Sequence, residues 1–214
     1  MDESRRERKK RETRQRIVAE AIALFEKQGY DQTTVAQIAA AADVDPKTFF
    51  NYFGSKDEVL FNDARRDQEL LIAAIAERPP HERPGQTLAR AIREYAAHRR
   101  PKVPAREAAE LSAAARLVAA TPSLAAKGVS VLLDLQQRIA DELLSGYPHL
   151  DPVTAAAMTG AALGAIQQAG LTSVRLGRSQ DDLWEATEHG LDIALRGLDS
   201  VHANESARRK GHHG

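Results

Sequence analysis

The side chains best suited to chemistry lie close together between residues 46 and 56, in the sequence PKTFFNYFGSK. Lys47 and Asn51 can hydrogen bond to the edges of bases, since lysine suits guanine and asparagine suits adenine. Phe50 offers an apolar ring beside them, and Pro46 can touch the methyl group of a thymine. These groups on one short segment indicate contact with the major groove of a duplex.

Two short helices are predicted to position this segment. Thr34 opens a capping box with Gln37, so one helix begins at the residue after Thr34. Asp45 is a good N-cap and Pro46 suits the first helical position, which predicts a second helix as far as about Tyr52. Two helices joined by about four residues are typical of a helix-turn-helix, whose second helix lies in the major groove.

The second helix has an inner and an outer face. Phe49 and Phe53 are four residues apart and are predicted to face inward with Ile38. Positions near the helix starts and just after the second helix are expected to lie near phosphates. The residues predicted to contact DNA are Thr33, Thr34, Pro46, Lys47, Thr48, Phe50, Asn51, Tyr52 and Lys56, of which Thr33, Thr34, Tyr52 and Lys56 are assigned to phosphates.

This stretch resembles the DNA-binding region of TetR-family transcriptional regulators. The matching residues are Thr34, Ile38-Ala39 with Ala42, the run from Thr48 to Phe53, Lys56, and upstream the residues from Ile17 to Tyr30. The resemblance covers about the first 60 residues, and one departure is Phe50, where the family more often has tyrosine. It implies binding to a palindromic DNA operator. A buried helical pair with a chance capping pattern is the alternative.

The chain as a whole is predicted to be all-α, with about nine helices and no sheet, because alternating valine-rich runs are absent. The expected helices cover residues 9–28, 35–42, 46–52, 55–76, 86–99, 105–120, 122–145, 152–176 and 180–198. We divide the chain into a three-helix DNA-binding domain (1–54), a helical bundle (55–200) and a disordered tail (201–214). The fourth helix joins the first two parts, so a signal between them would pass through it.

The helical bundle is predicted to bind a ligand and to form a dimer. Residues 155–165 are almost all small, which lets another helix approach closely, either within the subunit or from a second one. The family resemblance implies a homodimer through the last two long helices, and a pocket for an unknown small-molecule effector among helices four to seven. Candidate pocket residues are Leu71, Ile75, Tyr95, His98, Leu111, Leu117, Leu132, Gln136, Gln167 and Trp184.

Charge is distributed unevenly along the chain. The 30 basic and 30 acidic residues balance overall, which excludes a wholly basic coat. Residues 1–16 nevertheless hold eight basic and four acidic side chains. A basic arm next to a helix-turn-helix suits phosphate or minor-groove contact, and a solvated tail is the alternative.

Other classes of protein are disfavoured. Histidine pairs at metal-binding spacing and a phosphate-binding glycine loop are absent, so we expect no enzyme, no metal and no cofactor. The chain has no cysteine, no apolar run of 18 residues and a charged N-terminus, which predicts a cytoplasmic protein with no membrane span. The resulting hypothesis is a repressor released from DNA by its effector. The alternative is a helical dimeric sensor with weak or lost DNA binding.

Overall fold

A computed structural model describes residues 4–99 and 105–210, apart from the side chains of 62–67, 98–99, 105–112, 180–181 and 198–210. Within these ranges the chain forms nine α-helices and no β-strand, which confirms the predicted all-α class. The helices are α1 (Arg5–Gln28), α2 (Val35–Ala41), α3 (Pro46–Phe50), α4 (Glu58–Ala76), α5 (Pro84–Arg99), α6 (Ala105–Ala120), α7 (Pro122–Gly146), α8 (Pro152–Arg175) and α9 (Gln180–Lys210).

The helices belong to two compact units. Unit 1 comprises Met1–Arg66 and Pro104–Gly128, and unit 2 comprises Asp67–Val103 and Val129–Gly214. Helix α6 and the start of α7 therefore belong with the N-terminal helices, which the sequence did not predict. The functional division at residue 54 stays a prediction.

Unit 1 has an apolar core built from its first three helices and the start of α4. Phe49, Phe53 and Ile38 are at most 1% exposed, as predicted from their spacing. Ala39 and Ala42 are fully buried, and their small side chains let α1 and α3 pack closely against α2. The buried cluster consists of Ile17, Ala21, Phe25, Ile38, Ala39, Ala42, Phe49, Phe53 and Val59.

Three helix starts differ from the prediction: α5 begins at Pro84 rather than at residue 86, and α1 and α4 use other caps. Helix α1 begins at Arg5 rather than at about residue 9, since the hydroxyl of Ser4 accepts a hydrogen bond from the backbone N–H of Glu7 at 3.2 Å. Helix α4 begins at Glu58 rather than at Ser55. The Glu58 carboxylate accepts a hydrogen bond from the backbone N–H of Gly54 at 2.8 Å. This contact, which spans four residues, replaces the expected capping box between Ser55 and Glu58.

Two helix ends also differ. Helix α3 ends at Phe50, and residues 51 and 52 form a turn where the sequence predicts one more half-turn of helix. Helix α9 continues to Lys210, so residues 201–210 are helical where the sequence predicts a disordered tail. No glycine or proline interrupts the chain between Gly197 and Gly211, and the alanine, glutamate, arginine and lysine there favour a helix. Residues 211–214 lie outside the described residues.

Unit 2 has its own apolar core, in which α8 and α9 make the most extensive contact. The buried cluster consists of Leu71, Ile75, Leu88, Ala91, Ile92, Ile139, Leu143, Met158, Ala162, Leu163 and Leu191. Gly190 lies where α8 and α9 come closest, because a Cβ atom built on it would be 2.8 Å from the carbonyl oxygen of Ala165. The small residues of α8 therefore do support close helix packing within the subunit.

A polar network fixes the start of α5 in unit 2. The Glu82 carboxylate accepts from Nε of Arg90 at 3.0 and 3.1 Å and from the hydroxyl of Thr87 at 2.8 Å. The Glu82 carbonyl oxygen accepts from the hydroxyl of Tyr147 at 2.8 Å, which connects α5 to the end of α7. Burial alone would raise the pKa of the Glu82 carboxyl, but the hydrogen bonds from Arg90 and Thr87 outweigh it and hold the pKa below its ordinary value.

Replacing Glu82 by glutamine is expected to lower the free energy of unfolding by about 1–2 kcal/mol. The reason is that a neutral amide oxygen replaces the negatively charged acceptor of the hydrogen bonds from Arg90. Since the folded-state pKa is depressed, this contribution is fully present above the ordinary value of about 4.3. It is lost as the pH falls through the lower folded-state value. Thermal unfolding of wild type and variant at pH 7 and at pH 3 measures both effects.

Glu94→Gln is the matched control, because the Glu94 carboxylate also pairs with Arg90 but is 55% exposed. We expect that variant to lose less than about 0.5 kcal/mol. Equal losses for the two variants at every pH would contradict the role given to Glu82.

Candidate nucleic-acid interface

The start of α3 is held by its N-cap. The Asp45 carboxylate accepts from the backbone N–H of Thr48 at 2.7 Å and from its hydroxyl at 3.0 Å. These hydrogen bonds from Thr48 lower the pKa of the Asp45 carboxyl, so the cap stays charged at neutral pH. The hydroxyl of Thr48, predicted to contact DNA, is thus engaged in fixing the helix.

The turn between α2 and α3 contains Asp43 in the left-handed region, with φ at +52°. Aspartate tolerates this conformation better than most residues other than glycine. The N–H of Val44 donates to the carbonyl oxygen of Ala39 at 3.0 Å, which closes the turn on the end of α2. The turn and the cap together set the direction of α3.

Helix α3 presents its polar and aromatic groups to solvent. Phe50 is 54% exposed, whereas the adjacent Phe49 is fully buried. Lys47 and Asn51 are exposed on the same short segment, as is Pro46 at its start. The structure therefore brings together the four side chains that were predicted to contact base edges.

The predicted phosphate contacts fall into two groups. Thr34 is exposed at the N-cap of α2, where its capping box with Gln37 is formed as predicted. Tyr52 is half-buried after α3, with its ring centroid 6.4 Å from that of Phe53. Both lie at the helix ends where phosphate contacts were predicted, and their roles there stay predictions.

Thr33 has an internal role instead. Its side chain is 1% exposed, and its hydroxyl donates to the carbonyl oxygen of Gly29 at 2.8 Å. Gln28 adds a second support, because its Nε2 donates to the Thr33 hydroxyl at 3.2 Å and to the side-chain oxygen of Gln37 at 3.1 Å. The hydroxyl of Thr33 therefore positions the start of α2, and the predicted phosphate contact of this residue stays a prediction.

Lys56 also has internal partners. Its ammonium donates to the carbonyl oxygen of Tyr30 at 2.7 Å and to that of Thr33 at 2.9 Å. The same ammonium lies 4.0 Å from the centroid of the Tyr30 ring. The structure gives this ammonium a role in joining the start of α4 to the α1–α2 connection. Its predicted phosphate contact is the alternative role, which the salt dependence of DNA binding can test.

The sequence reasoning missed two of the supporting residues, Gln28 and Tyr30. The partners described above lie between 5 and 26 residues away along the chain, outside the reach of capping rules. The aromatic residue after Gly29 was the one available signal, since it belongs to the matched upstream motif.

The described effector-pocket candidates are divided between the two units. Leu71 and Ile75 are buried in the core of unit 2, and Tyr95 and Leu132 pack against that core. Leu117 packs against the core of unit 1 instead, because α6 belongs to that unit. The half-buried remainder is Gln136, Gln167 and Trp184, and the side chains of His98 and Leu111 lie outside those described.

An open groove of about 590 Å³ lies between α8 and α9 in unit 2. None of the predicted pocket residues lines it. Leu176 and Ile193 border the groove and are 62% and 57% exposed. Ser173, which also lines it, has a buried hydroxyl without a hydrogen-bond partner among the described residues. The groove thus combines exposed apolar side chains with an unsatisfied donor.

The described part of the chain holds neither a metal-binding cluster nor a single membrane-spanning helix. No cluster of three or more histidine, cysteine, aspartate or glutamate residues there could hold a metal ion. No single described helix is long and apolar enough to cross a membrane, although residues 113–120 and α7 reach the required length and hydropathy when joined across a bend.

Comparison with known sequences identifies a matching family and two relatives. The family described as "Bacterial regulatory proteins, tetR family" matches residues 17–62. The HTH-type transcriptional regulator TcmR of Streptomyces glaucescens is 38% identical over 136 residues, which is 63% of this chain and 60% of TcmR. The HTH-type transcriptional regulator HbdR of Aromatoleum sp. (strain CIB) is 46% identical over 50 residues, 23% of this chain and 22% of HbdR. The matches therefore span less than two thirds of either relative.

Comparison with solved structures extends the similarity to the whole fold. The fatty acid degradation regulator FadR from Bacillus halodurans superimposes with a TM-score of 0.53 at 20% sequence identity. The superposition covers 86% of this chain and 98% of that one. At this identity the likeness supports the architecture of both units and nothing about ligands.

Proposed function

We propose that this chain, which belongs to the TetR family of bacterial regulatory proteins, is a transcriptional repressor that binds a palindromic operator as a homodimer. A small-molecule effector then releases it from DNA. The observation that carries the proposal is helix α3, whose one side is buried while Lys47, Phe50 and Asn51 are exposed on the other. In this role the chain is a cytoplasmic regulator and not an enzyme.

The proposed base contacts follow from the chemistry of these exposed groups. Lys47 suits a guanine edge, Asn51 an adenine edge, and the Phe50 ring a thymine methyl group. Pro46 adds a second apolar surface at the start of the helix. Thr34 and Tyr52, which lie at the ends of α2 and α3, would contact phosphates.

The proposed dimer interface is the open face of α8 and α9. One recognition helix reads few bases, so two-fold pairing is needed to place two copies about one turn of DNA apart. The groove with Leu176 and Ile193 at its border supports this choice, because exposed apolar groups at the end of a helix pair suit a second copy. The hydroxyl of Ser173 would find a partner there.

The proposed effector site lies in unit 2, among the half-buried side chains of Tyr95, Leu132, Gln136, Gln167 and Trp184. A pocket of this kind needs mainly apolar walls with a few polar groups. Helix α4 contributes residues to both units, which supports it as the route by which an effector changes the position of α3.

Phe50→Ala is expected to weaken binding to the operator about tenfold, or about 1.4 kcal/mol, because the truncated side chain loses its apolar contact with the thymine methyl group. The melting temperature should change little, since the ring is 54% exposed. Fluorescence anisotropy with a palindromic duplex from the protein's own promoter region measures this. Leu133→Ala is the matched control, because Leu133 is 57% exposed on α7 and should leave DNA binding unchanged.

The same titration tests the proposal as a whole. If the wild-type protein binds the palindrome no better than a scrambled duplex at physiological salt, the proposal that it is a DNA-binding regulator is wrong. If such a protein still dimerised and bound small molecules, the sensor without DNA binding would be the correct description.

A further inference from the structure

The N-terminal half of α1 extends beyond the core of unit 1 as a helix. The first buried side chain of α1 is Ile17, so residues 5–16 precede the buried stripe of the helix. Twelve residues at about 1.5 Å each give an arm of roughly 18 Å. Ser4 caps its start, and Arg8 and Glu12 pair along it at 3.8 Å. The arm is thus a continuation of a helix that is already fixed by its buried half.

The arm is strongly positive. Residues 5–16 hold eight basic side chains and two acidic ones, a net charge of +6 in a chain whose net charge is zero. Side chains of one sign crowded on a helix repel each other. A polyanion relieves this repulsion, and duplex DNA presents phosphates along each strand at a spacing of about 3.4 Å.

The arm leaves the core beside the recognition helix. The guanidinium carbon of Arg14 lies 5.6 Å from the centroid of the Phe53 ring. Phe53 in turn packs against Phe49 of α3, with ring centroids 5.5 Å apart. A duplex held by α3 would therefore pass close to the base of the arm.

The arm could contact DNA in the minor groove or along the phosphate backbone, and the width of the minor groove decides between these two modes. A helix with its side chains is about 10–12 Å across, whereas the minor groove is about 6 Å wide. A helical arm cannot enter the minor groove, which the sequence alone left open. Contact with the phosphate backbone remains.

We propose that residues 5–16 bind the phosphates of duplex DNA next to the half-site as a continuous helix. This inference rests on the proposed function and adds a binding surface to it. At roughly 18 Å, the arm covers about five nucleotides of one strand. It adds affinity that is independent of sequence, and it steepens the dependence of binding on salt.

The first test removes charge from the arm. A variant with Arg5, Arg6, Lys9 and Lys10 replaced by glutamine is compared with Lys27→Gln, an exposed lysine at the other end of the same helix. The slope of log binding constant against log salt falls by about 0.9 per lost phosphate contact. Two contacts per subunit predict a slope shallower by about 3–4 for the dimer, with the base preference unchanged. A slope equal to that of Lys27→Gln would overturn the inference.

The second test keeps every charge and breaks the helix. Thr13→Pro removes one helical hydrogen bond and kinks the arm where it meets the core, whereas Thr13→Ala keeps the helix. We expect the proline variant to have a salt slope as shallow as that of the fourfold variant. Equal slopes for Thr13→Pro and Thr13→Ala would overturn the helical mode of binding. Melting temperatures of both variants verify that unit 1 remains folded.

These outcomes are separable from failure of the proposed function. If the wild-type protein shows no preference for its operator, the proposed regulatory function is wrong. If the wild-type protein prefers its operator but the fourfold variant has an unchanged salt slope, only the inference that residues 5–16 bind phosphates is wrong.

Discussion

Replacing Lys56 by methionine is expected to lower the free energy of unfolding by about 2–3 kcal/mol while leaving the salt slope of DNA binding unchanged. The reason is that the Lys56 ammonium donates to the carbonyl oxygens of Tyr30 and Thr33, at 2.7 and 2.9 Å. Hydrogen bonds from a charged donor contribute about 1.5–3 kcal/mol each, and less when water can replace the donor. Methionine keeps most of the length of the side chain and removes the charged donor.

DNA binding should weaken indirectly in this variant. Thr33 lies next to Thr34, the N-cap of α2, so loosening the connection between α1 and α2 disturbs the helix on which α3 packs. Affinity for the operator and for a scrambled duplex should both fall, with the same salt slope as the wild type. Chemical denaturation and anisotropy at several salt concentrations measure the two quantities.

Lys127→Met is the matched control for Lys56. Lys127 lies in the same unit and pairs with Asp57 at 3.7 Å, but its side chain is 39% exposed. We expect it to cost less than about 1 kcal/mol. The opposite result for Lys56→Met, an unchanged stability with a slope shallower by about 0.9 per subunit, would identify a phosphate contact. The internal role of the lysine would then be wrong.

Lys56 also illustrates where sequence reasoning stops. Capping chemistry acts over three or four residues, so the starts of α2, α3 and α8 could be predicted from Thr34, Asp45 and Asp151. The alternation of Phe49 and Phe50 between core and solvent follows from helical period alone. The ammonium of Lys56 instead meets a carbonyl 26 residues away, which depends on how three helices are packed.

For the same reason, the sequence could not divide the effector-pocket candidates between the two units. Leu117 has the composition of a pocket residue, but α6 packs with the N-terminal helices and carries Leu117 into the core of unit 1. Leu71 and Ile75 satisfy a helical pattern that a core and a pocket share. Apolar periodicity identifies which side of a helix is covered and leaves open what covers it.

Substitutions at three glycines of α8 and α9 are expected to separate packing inside the subunit from packing between subunits. At Gly190 a Cβ atom would lie 2.8 Å from the Ala165 carbonyl oxygen and 3.0 Å from the Ala169 Cβ atom. Gly190→Ala should therefore force α8 and α9 apart and lower stability by about 1–3 kcal/mol, despite the better helix propensity of alanine. At Gly170 the nearest side-chain atoms are at 3.6 and 3.7 Å, an ordinary contact, so Gly170→Ala serves as the control.

A substitution at Gly164 tests whether a second subunit packs on this face of α8. A Cβ atom there meets no atom of the described residues within 4 Å, so even Gly164→Leu should leave the single subunit folded. Gly164 is one helical turn from Gln168, which lines the groove between α8 and α9. If a second copy packs on this face, the leucine collides with it, and overpacking of about 1–3 kcal/mol weakens the dimer roughly five- to 150-fold. Sedimentation or light scattering measures the mass, and the operator affinity should fall with it, because one subunit holds one half-site. A Gly164→Leu protein that remains dimeric with wild-type affinity would place the interface elsewhere.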